Sequence, residues 1–250
     1  MSLRRDTAAL VLAAGKGTRM RSDLAKVLFP LRGRPLIRFV LDATAGAGFE
    51  RTVVIVGHQA DRVRETLGGY DVEFALQDQQ LGTGHAVQCA APRLAGFEGD
   101  VAVLAGDAPL IRSRTLGGLM DHHRESKAVV TVLTARLPDP AGYGRIVRGP
   151  DGRITAIVED KDCTPAQRAI DEINSSIYAF RWPFLARALP RLGNQNRQGE
   201  YYLTDTVGMA FAEGLPVEGI VVADHHEVAG INTPAQLADA ERVLEDRERE

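Results

Sequence analysis

Short, nearly unbroken apolar runs alternate with longer amphipathic stretches along the first half of the chain. Ala8–Ala13, Thr52–Val56, Val72–Leu76, Val101–Leu104 and Val129–Leu133 are rich in Val and Leu and short, which predicts buried strands. Between them, Pro35–Ala47, Ala60–Leu67, Gly84–Ala95 and Ser113–Ser126 carry apolar residues at helical spacing. Pro35 suits a first helical turn and Ser113 suits a cap. This alternation predicts an α/β fold: a Rossmann-like, mostly parallel mixed sheet with helices on both faces. In such sheets ligands sit beyond the carboxyl ends of the strands.

After Pro138 the pattern changes. Gly142–Arg148 and Arg153–Glu159, joined by Gly149-Pro-Asp-Gly152, read as two strands and a tight turn. A helix (Pro165–Ala169), a strand (Ser175–Phe180), helices (Pro183–Leu192, Thr204–Glu213) and a strand (Val217–Val222) follow, with a terminal helix from Pro234. The expected division is a single domain, 1–250. It has a strand–helix alternating part (about 1–136), a small β-rich part (about 137–232) and a C-terminal helix (233–250).

Bulk properties narrow the class. The chain has 250 residues, 44% of them hydrophobic, enough to build a core. A formal charge of -3 gives no global attraction to nucleic acid or anionic membrane, so any affinity for phosphate must be local. Cys89 and Cys163 lack metal-site spacing and read as unpaired thiols of a reducing compartment. No run approaches the ~20 apolar residues of a membrane span. The expected location is cytoplasmic.

Candidate chemistry begins at the end of the first strand. Leu10-Val-Leu-Ala-Ala-Gly-Lys-Gly-Thr-Arg-Met20, followed by Lys26, is a glycine-bearing loop with well-spaced cations that can wrap a polyphosphate. Its spacing matches neither a P-loop nor a dinucleotide fingerprint, and it also suits an ordinary strand-to-helix turn. Asp107, in Ala105-Gly-Asp-Ala-Pro109, could be a hard oxygen ligand for Mg²⁺ or a turn aspartate. Asn232 could be a second oxygen ligand or a helix cap. Gln77 and Leu81-Gly-Thr-Gly-His85 could read a flat base through paired hydrogen bonds, while His85 reads as structural. The polar, aromatic run Gln198-Gly-Glu-Tyr-Tyr-Leu-Thr-Asp205 could contact a sugar or simply pack at the surface. Nothing pairs a nucleophile with an adjacent base, so acyl transfer has little support.

In order, these segments resemble the pyrophosphorylase (uridylyltransferase) domain of the bifunctional bacterial enzyme that makes UDP-N-acetylglucosamine, from about Ala8 to Leu244. The opening loop with Lys26 is the general mark of sugar-nucleotide nucleotidylyltransferases. Gln-Leu-Gly-Thr-Gly-His85, Gly-Tyr-Gly-Arg-Ile146, Ile-Val-Glu-Asp-Lys-Asp162, Glu-Ile-Asn174 and Gln-Gly-Glu-Tyr-Tyr-Leu-Thr-Asp205 mark this branch. The resemblance implies the nucleotide-diphospho-sugar transferase fold and Mg²⁺-dependent nucleotidyl transfer. UTP and N-acetylglucosamine 1-phosphate would give UDP-N-acetylglucosamine and pyrophosphate. It implies Leu12, Ala13, Ala14, Gly15 and Gly106 around the nucleotide, Arg19 and Lys26 on the triphosphate, and Gln77, Gly82 and Thr83 at the uracil. Asp107 and Asn232 would bind Mg²⁺, and Gly144, Glu159, Asn174, Tyr202 and Thr204 would hold the sugar.

The chain departs from the pattern in several places. Ala105 stands where the family has tyrosine, Asp160 where it has histidine, and Ser175-Ser176 where it has Thr-Gly. These changes spare the phosphate and metal groups and bear on the sugar, so another sugar 1-phosphate or NTP is the alternative, with a non-catalytic nucleotide-sugar sensor as a third reading. The family's C-terminal acetyltransferase β-helix has no counterpart in these residues. That half holds the family's trimers together, so a monomer or weak homo-oligomer is expected.

Overall fold

The computed structural model describes residues 6–17, 20 and 22–249. The first half runs β1 (Thr7–Ala13), β2 (Pro30–Leu31), β3 (Arg34–Pro35), α1 (Leu36–Ala47), β4 (Arg51–Val56), α2 (Ala60–Thr66), β5 (Glu73–Leu76), α3 (Thr83–Ala90), β6 (Asp100–Ala105), α4 (Ser113–Glu125) and β7 (Val130–Arg136). The second half runs β8 (Arg145–Arg148), β9 (Ile154–Val158), α5 (Pro165–Arg168), β10 (Glu172–Arg181), α6 (Trp182–Ala188), α7 (Asp205–Ala212), β11 (Val217–Val221) and α8 (Pro234–Arg249).

Among the described residues the main sheet has the order β11-β7-β10-β6-β1-β4-β5. β5, β4, β1 and β6 are parallel neighbours, and β11 lies parallel to β7. β10 runs antiparallel between β6 and β7, and the β8–β9 hairpin hangs from it through Arg145 and Ile173. The fold is therefore α/β with a mostly parallel mixed sheet. β1 shows why its strands read as continuous apolar runs. Ala8 and Leu10 enter one core while Ala9, Val11 and Ala13 enter the other, because successive side chains point to opposite faces. Each fully buried valine or leucine contributes about 1.5–3 kcal/mol.

Several expected boundaries move, each for a local reason. Pro35 pairs with Pro30 in the short β2–β3 hairpin and precedes α1, which begins at Leu36. Ser113 opens α4 without capping it. Its hydroxyl abuts α1, where a Cβ on Gly46 would lie 2.4 Å from Ser113 Oγ. The Arg112 N–H at that helix start donates instead to Glu227 Oε2 at 3.3 Å. The expected Gly84–Ala95 helix is α-helical only to Ala90 and continues as a 3-10 turn, Ala91–Leu94, because Pro92 has no N–H to give the ladder. The expected Ser175–Phe180 strand extends to Glu172–Arg181, with an irregularity between Asn174 and Ile177.

α8 is mostly polar and is held by a third apolar cluster, in which Ala240 and Ile231 meet Leu31, Leu36 and Leu110. Among the described residues no helix is long and apolar enough to cross a membrane. Cys89 and Cys163 are free thiols, and burial pushes both above the ordinary thiol range, away from the reactive thiolate.

Candidate active site

A cleft of about 300 Å³ opens beyond the carboxyl ends of β1, β5 and β6. Leu12, Ala14, Gly15, Lys26, Gln77, Gly82, Thr83 and Asp107, all expected at a nucleotide site, line it. Ala13 does not. Strand alternation turns its side chain into the core on the other face of β1. Gly106 is absent from the lining as well, and its N–H donates to the Leu12 carbonyl at 3.0 Å, tying the ends of β6 and β1 together. Arg19 lies outside the described residues.

The head of the cleft is a three-residue cluster. The Lys26 ammonium contacts Asp107 Oδ2 and donates to Asn232 Oδ1 at 2.5 Å. The Lys26 and Asp107 side chains are 18% and 16% exposed, so the pair is largely shielded from water. Local chemistry explains how the three meet. Gly17, at φ +67, lets the loop close on Lys26: a Cβ there would lie 2.7 Å from Lys26 Cβ. Asp107 accepts the Ile231 N–H on its main-chain carbonyl at 2.9 Å, which draws in the segment carrying Asn232. Asn232 does not cap α8. Thr233 does, its hydroxyl oxygen accepting from the Gln236 N–H at 3.2 Å. A carboxylate and an amide oxygen converge on one positive charge, a hard donor pair that fits a divalent cation such as Mg²⁺.

The base side of the cleft is built backbone to backbone. The Gly84 N–H donates to the Tyr201 carbonyl and the Tyr201 N–H to the Leu81 carbonyl, both at 2.8 Å. Gly82 sits at φ +109, where a Cβ would lie 2.6 Å from Tyr201 O. Buried Gln77 directs its amide nitrogen to the Gly82 carbonyl at 3.0 Å and to His85 Nδ1 at 3.1 Å. His85 thus packs in the first turns of α3 and is absent from the cleft lining. The Thr83 hydroxyl oxygen accepts from the Leu203 N–H at 3.0 Å, coupling the base side to the second pocket.

That pocket, about 110 Å³, adjoins the cleft; Leu12, Thr83, Ser176 and Glu200 line both. Glu159, Tyr202 and Thr204, expected at a sugar, line it. Thr204 donates to Glu159 Oε1 at 3.0 Å, yet burial pushes the Glu159 carboxyl above the ordinary range. Tyr202 donates to Asp162 Oδ2 at 3.1 Å and accepts from Gln198 at 2.8 Å; its phenol is pushed up to about 12, chiefly by burial. Gly144 and Asn174 stand behind the lining, with a Cβ on Gly144 reaching Asn174 Cβ at 3.4 Å and Glu159 Oε2 at 3.5 Å. The Asn174 N–H donates to the Gly144 carbonyl at 2.8 Å.

Asp160 does not add a carboxylate to this pocket. It pairs with buried Arg145 at 3.3 Å and is absent from the lining. Ala105 does line the cleft, so the small side chain there widens the nucleotide side. Ser176, Gln80 and Glu200 also line it; each lies in a segment singled out in the sequence, but none was expected as a site residue. Away from the cleft, ligating atoms of Asp224, His225 and His226 lie within 4.8 Å of one another. Asp224 is already held by Arg247 at 2.9 Å and Arg112 at 3.6 Å, and those cations oppose a metal ion.

Residues 9–172 match the MobA-like NTP transferase domain. The chain is 54% identical over 243 residues to the "Bifunctional protein GlmU" of Geobacter metallireducens, covering 97% of this chain and 51% of that one. It is 51% identical to the protein of the same name from Pelobacter propionicus, over 97% of this chain and 53% of that one. The Corynebacterium glutamicum protein of that name is 49% identical over 96% of this chain and 51% of its own. The chain spans about half the length of the curated relatives it matches.

Proposed function

We propose, since the chain belongs to the MobA-like NTP transferase domain family, that it catalyses Mg²⁺-dependent transfer of a uridylyl group from UTP to N-acetylglucosamine 1-phosphate. The products are UDP-N-acetylglucosamine and pyrophosphate. Convergence of Lys26, Asp107 and Asn232 at the head of the cleft carries this reading. It brings together a leaving-group cation and two hard-oxygen donors, which a mere nucleotide binder has little use for. On this reading residues 1–136 form the nucleotide part, 137–232 the sugar part, and 233–250 the closing helix.

A phosphate oxygen of the sugar phosphate attacks the α-phosphorus of UTP, forming a new P–O bond. The bond from the α-phosphorus to the bridging oxygen breaks, and its electron pair leaves with pyrophosphate. Such transfer runs on positioning and charge stabilisation, so no protein nucleophile is required. Lys26, with Arg19, neutralises charge on the departing pyrophosphate. Asp107 and Asn232 would hold Mg²⁺, which would supply further neutralisation of phosphate charge. Glu159 and Thr204 orient sugar hydroxyls. Among the described residues lining the second pocket none is cationic and two, Glu159 and Glu200, are acidic, which suits a neutral sugar.

Ala105, small where the resemblance implies tyrosine, supports a second reading in which another NTP or sugar phosphate is used. Pyrophosphate release across panels of NTPs and sugar 1-phosphates decides between them. The expected result is fastest release from UTP with N-acetylglucosamine 1-phosphate. A faster alternative pair reassigns the substrate, and UDP-sugar binding without pyrophosphate release from any pair makes the protein a sensor.

A further inference from the structure

We infer that the Ser176 hydroxyl is a specificity-determining contact to the sugar of the nucleotide-sugar, placed where the nucleotide cleft meets the second pocket. This rests on the reading of the second pocket as the sugar site. Three observations converge. Ser176 lines both cavities. It holds φ +61, a left-handed conformation that a glycine would adopt freely and that a serine adopts at a cost. Strained residues of this kind persist where the surrounding structure holds them for a functional reason. The surroundings do hold it: the Ser176 N–H donates to Asn174 Oδ1 at 3.1 Å within the irregular stretch of β10. The Asn174 and Ser176 side chains also reach the buried Tyr178 hydroxyl, itself part of the pocket lining.

Of the other residues shared by the two cavities, Leu12 is apolar, Glu200 presents a negative charge beside phosphates, and the Thr83 hydroxyl, whose oxygen accepts from the Leu203 N–H, belongs to the turn on the base side of the cleft. Ser176 offers a neutral hydroxyl at the point where a bound UDP-sugar passes from diphosphate to sugar ring.

Two variants separate contact from strain. Ser176→Ala removes the hydroxyl and keeps the Cβ; Ser176→Gly removes both. Titration calorimetry with UDP-N-acetylglucosamine and with UDP, which lacks only the sugar, reads the contact directly. Both variants are expected to bind UDP-N-acetylglucosamine ~3- to 10-fold more weakly, the scale of one neutral hydrogen bond, with UDP affinity unchanged. Only the glycine variant is expected to melt higher, by roughly 2–4 °C. An alanine variant that binds UDP-N-acetylglucosamine as wild type does, or loses UDP equally, overturns the role of Ser176 while leaving the sugar site in place. Wild-type protein that binds UDP no more weakly than UDP-N-acetylglucosamine overturns the sugar site itself, and the Ser176 contact with it.

Discussion

Lys26 is held in the cleft by an acid and an amide, and on the proposed function a substrate's phosphates compete with both for it. A shielded ammonium of this kind is worth far more to a developing negative charge than one in open water. Lys26→Ala is expected to lower kcat/KM for pyrophosphate release by ~100-fold or more with unchanged circular dichroism, and near-wild-type turnover would remove Lys26 from the leaving group. A second residue-scale effect concerns stability. His123 is buried, bonded through Nδ1 to the Thr131 hydroxyl at 2.8 Å, and its Nε2 has no hydrogen-bond partner. Burial pulls its pKa from 6.5 down to about 4, with Arg181 and Arg124 adding to the shift and Asp100 opposing it. The unfolded chain therefore takes up the proton first. His123's contribution is complete above about pH 6.5 and falls as the pH drops toward 4, by up to roughly 3 kcal/mol. Urea midpoints of wild type and His123→Gln should converge across that window; a constant difference would exclude the ring as the source.

At the scale of elements, the start of α4 and the turn His225–Val228 are fastened to each other by one buried side chain. Glu227 takes the Arg112 N–H at 3.3 Å and the Thr115 hydroxyl at 2.5 Å, with the Arg112 guanidinium 3.6 Å away. It takes the N–H of the residue before α4 and a hydroxyl of its first turn, and it anchors the segment that delivers Asn232 to the cleft. Glu227→Gln keeps the shape but weakens charge-assisted bonds, and should cost about 1–3 kcal/mol in a denaturant melt. An unchanged midpoint would make the anchor incidental. The β8–β9 hairpin could be read from its Gly149-Pro-Asp-Gly152 turn, because turn chemistry is local. The Ser113 cap could not be read correctly, because the competing carboxylate lies 114 residues away, in a segment with no recognisable link to α4.

At the scale of the whole molecule, the two expected parts share one sheet. β10, from the second part, sits between β6 and β7 of the first and pairs with both. Residues 1–136 expressed alone would leave unpaired the edge of β6 that faces β10 and both edges of β7, whose neighbours β10 and β11 come from the second part. Such a fragment is expected to aggregate or to lack native near-ultraviolet dichroism. A soluble, cooperatively melting fragment would show instead that the first part folds by itself.

The sequence by itself determined the strand–helix rhythm, since strands covered on both faces must be apolar throughout, and each such run carries its own signal. It also placed the glycine-bearing loop after β1, Asp107 and the Gln77–His85 turn at strand ends, where ligands bind in such sheets. Only the tertiary structure decided that Lys26 meets Asn232, 206 positions along the chain. It also decided that Ala13 turns into the core, that Asp160 pairs with Arg145 outside the second pocket, and that Ser176 stands at the seam with a left-handed backbone. Each of these depends on which strands become neighbours and which side chains are left facing one another when the sheet closes. Periodicity reports the face that an element buries; what lies opposite that face is set by packing.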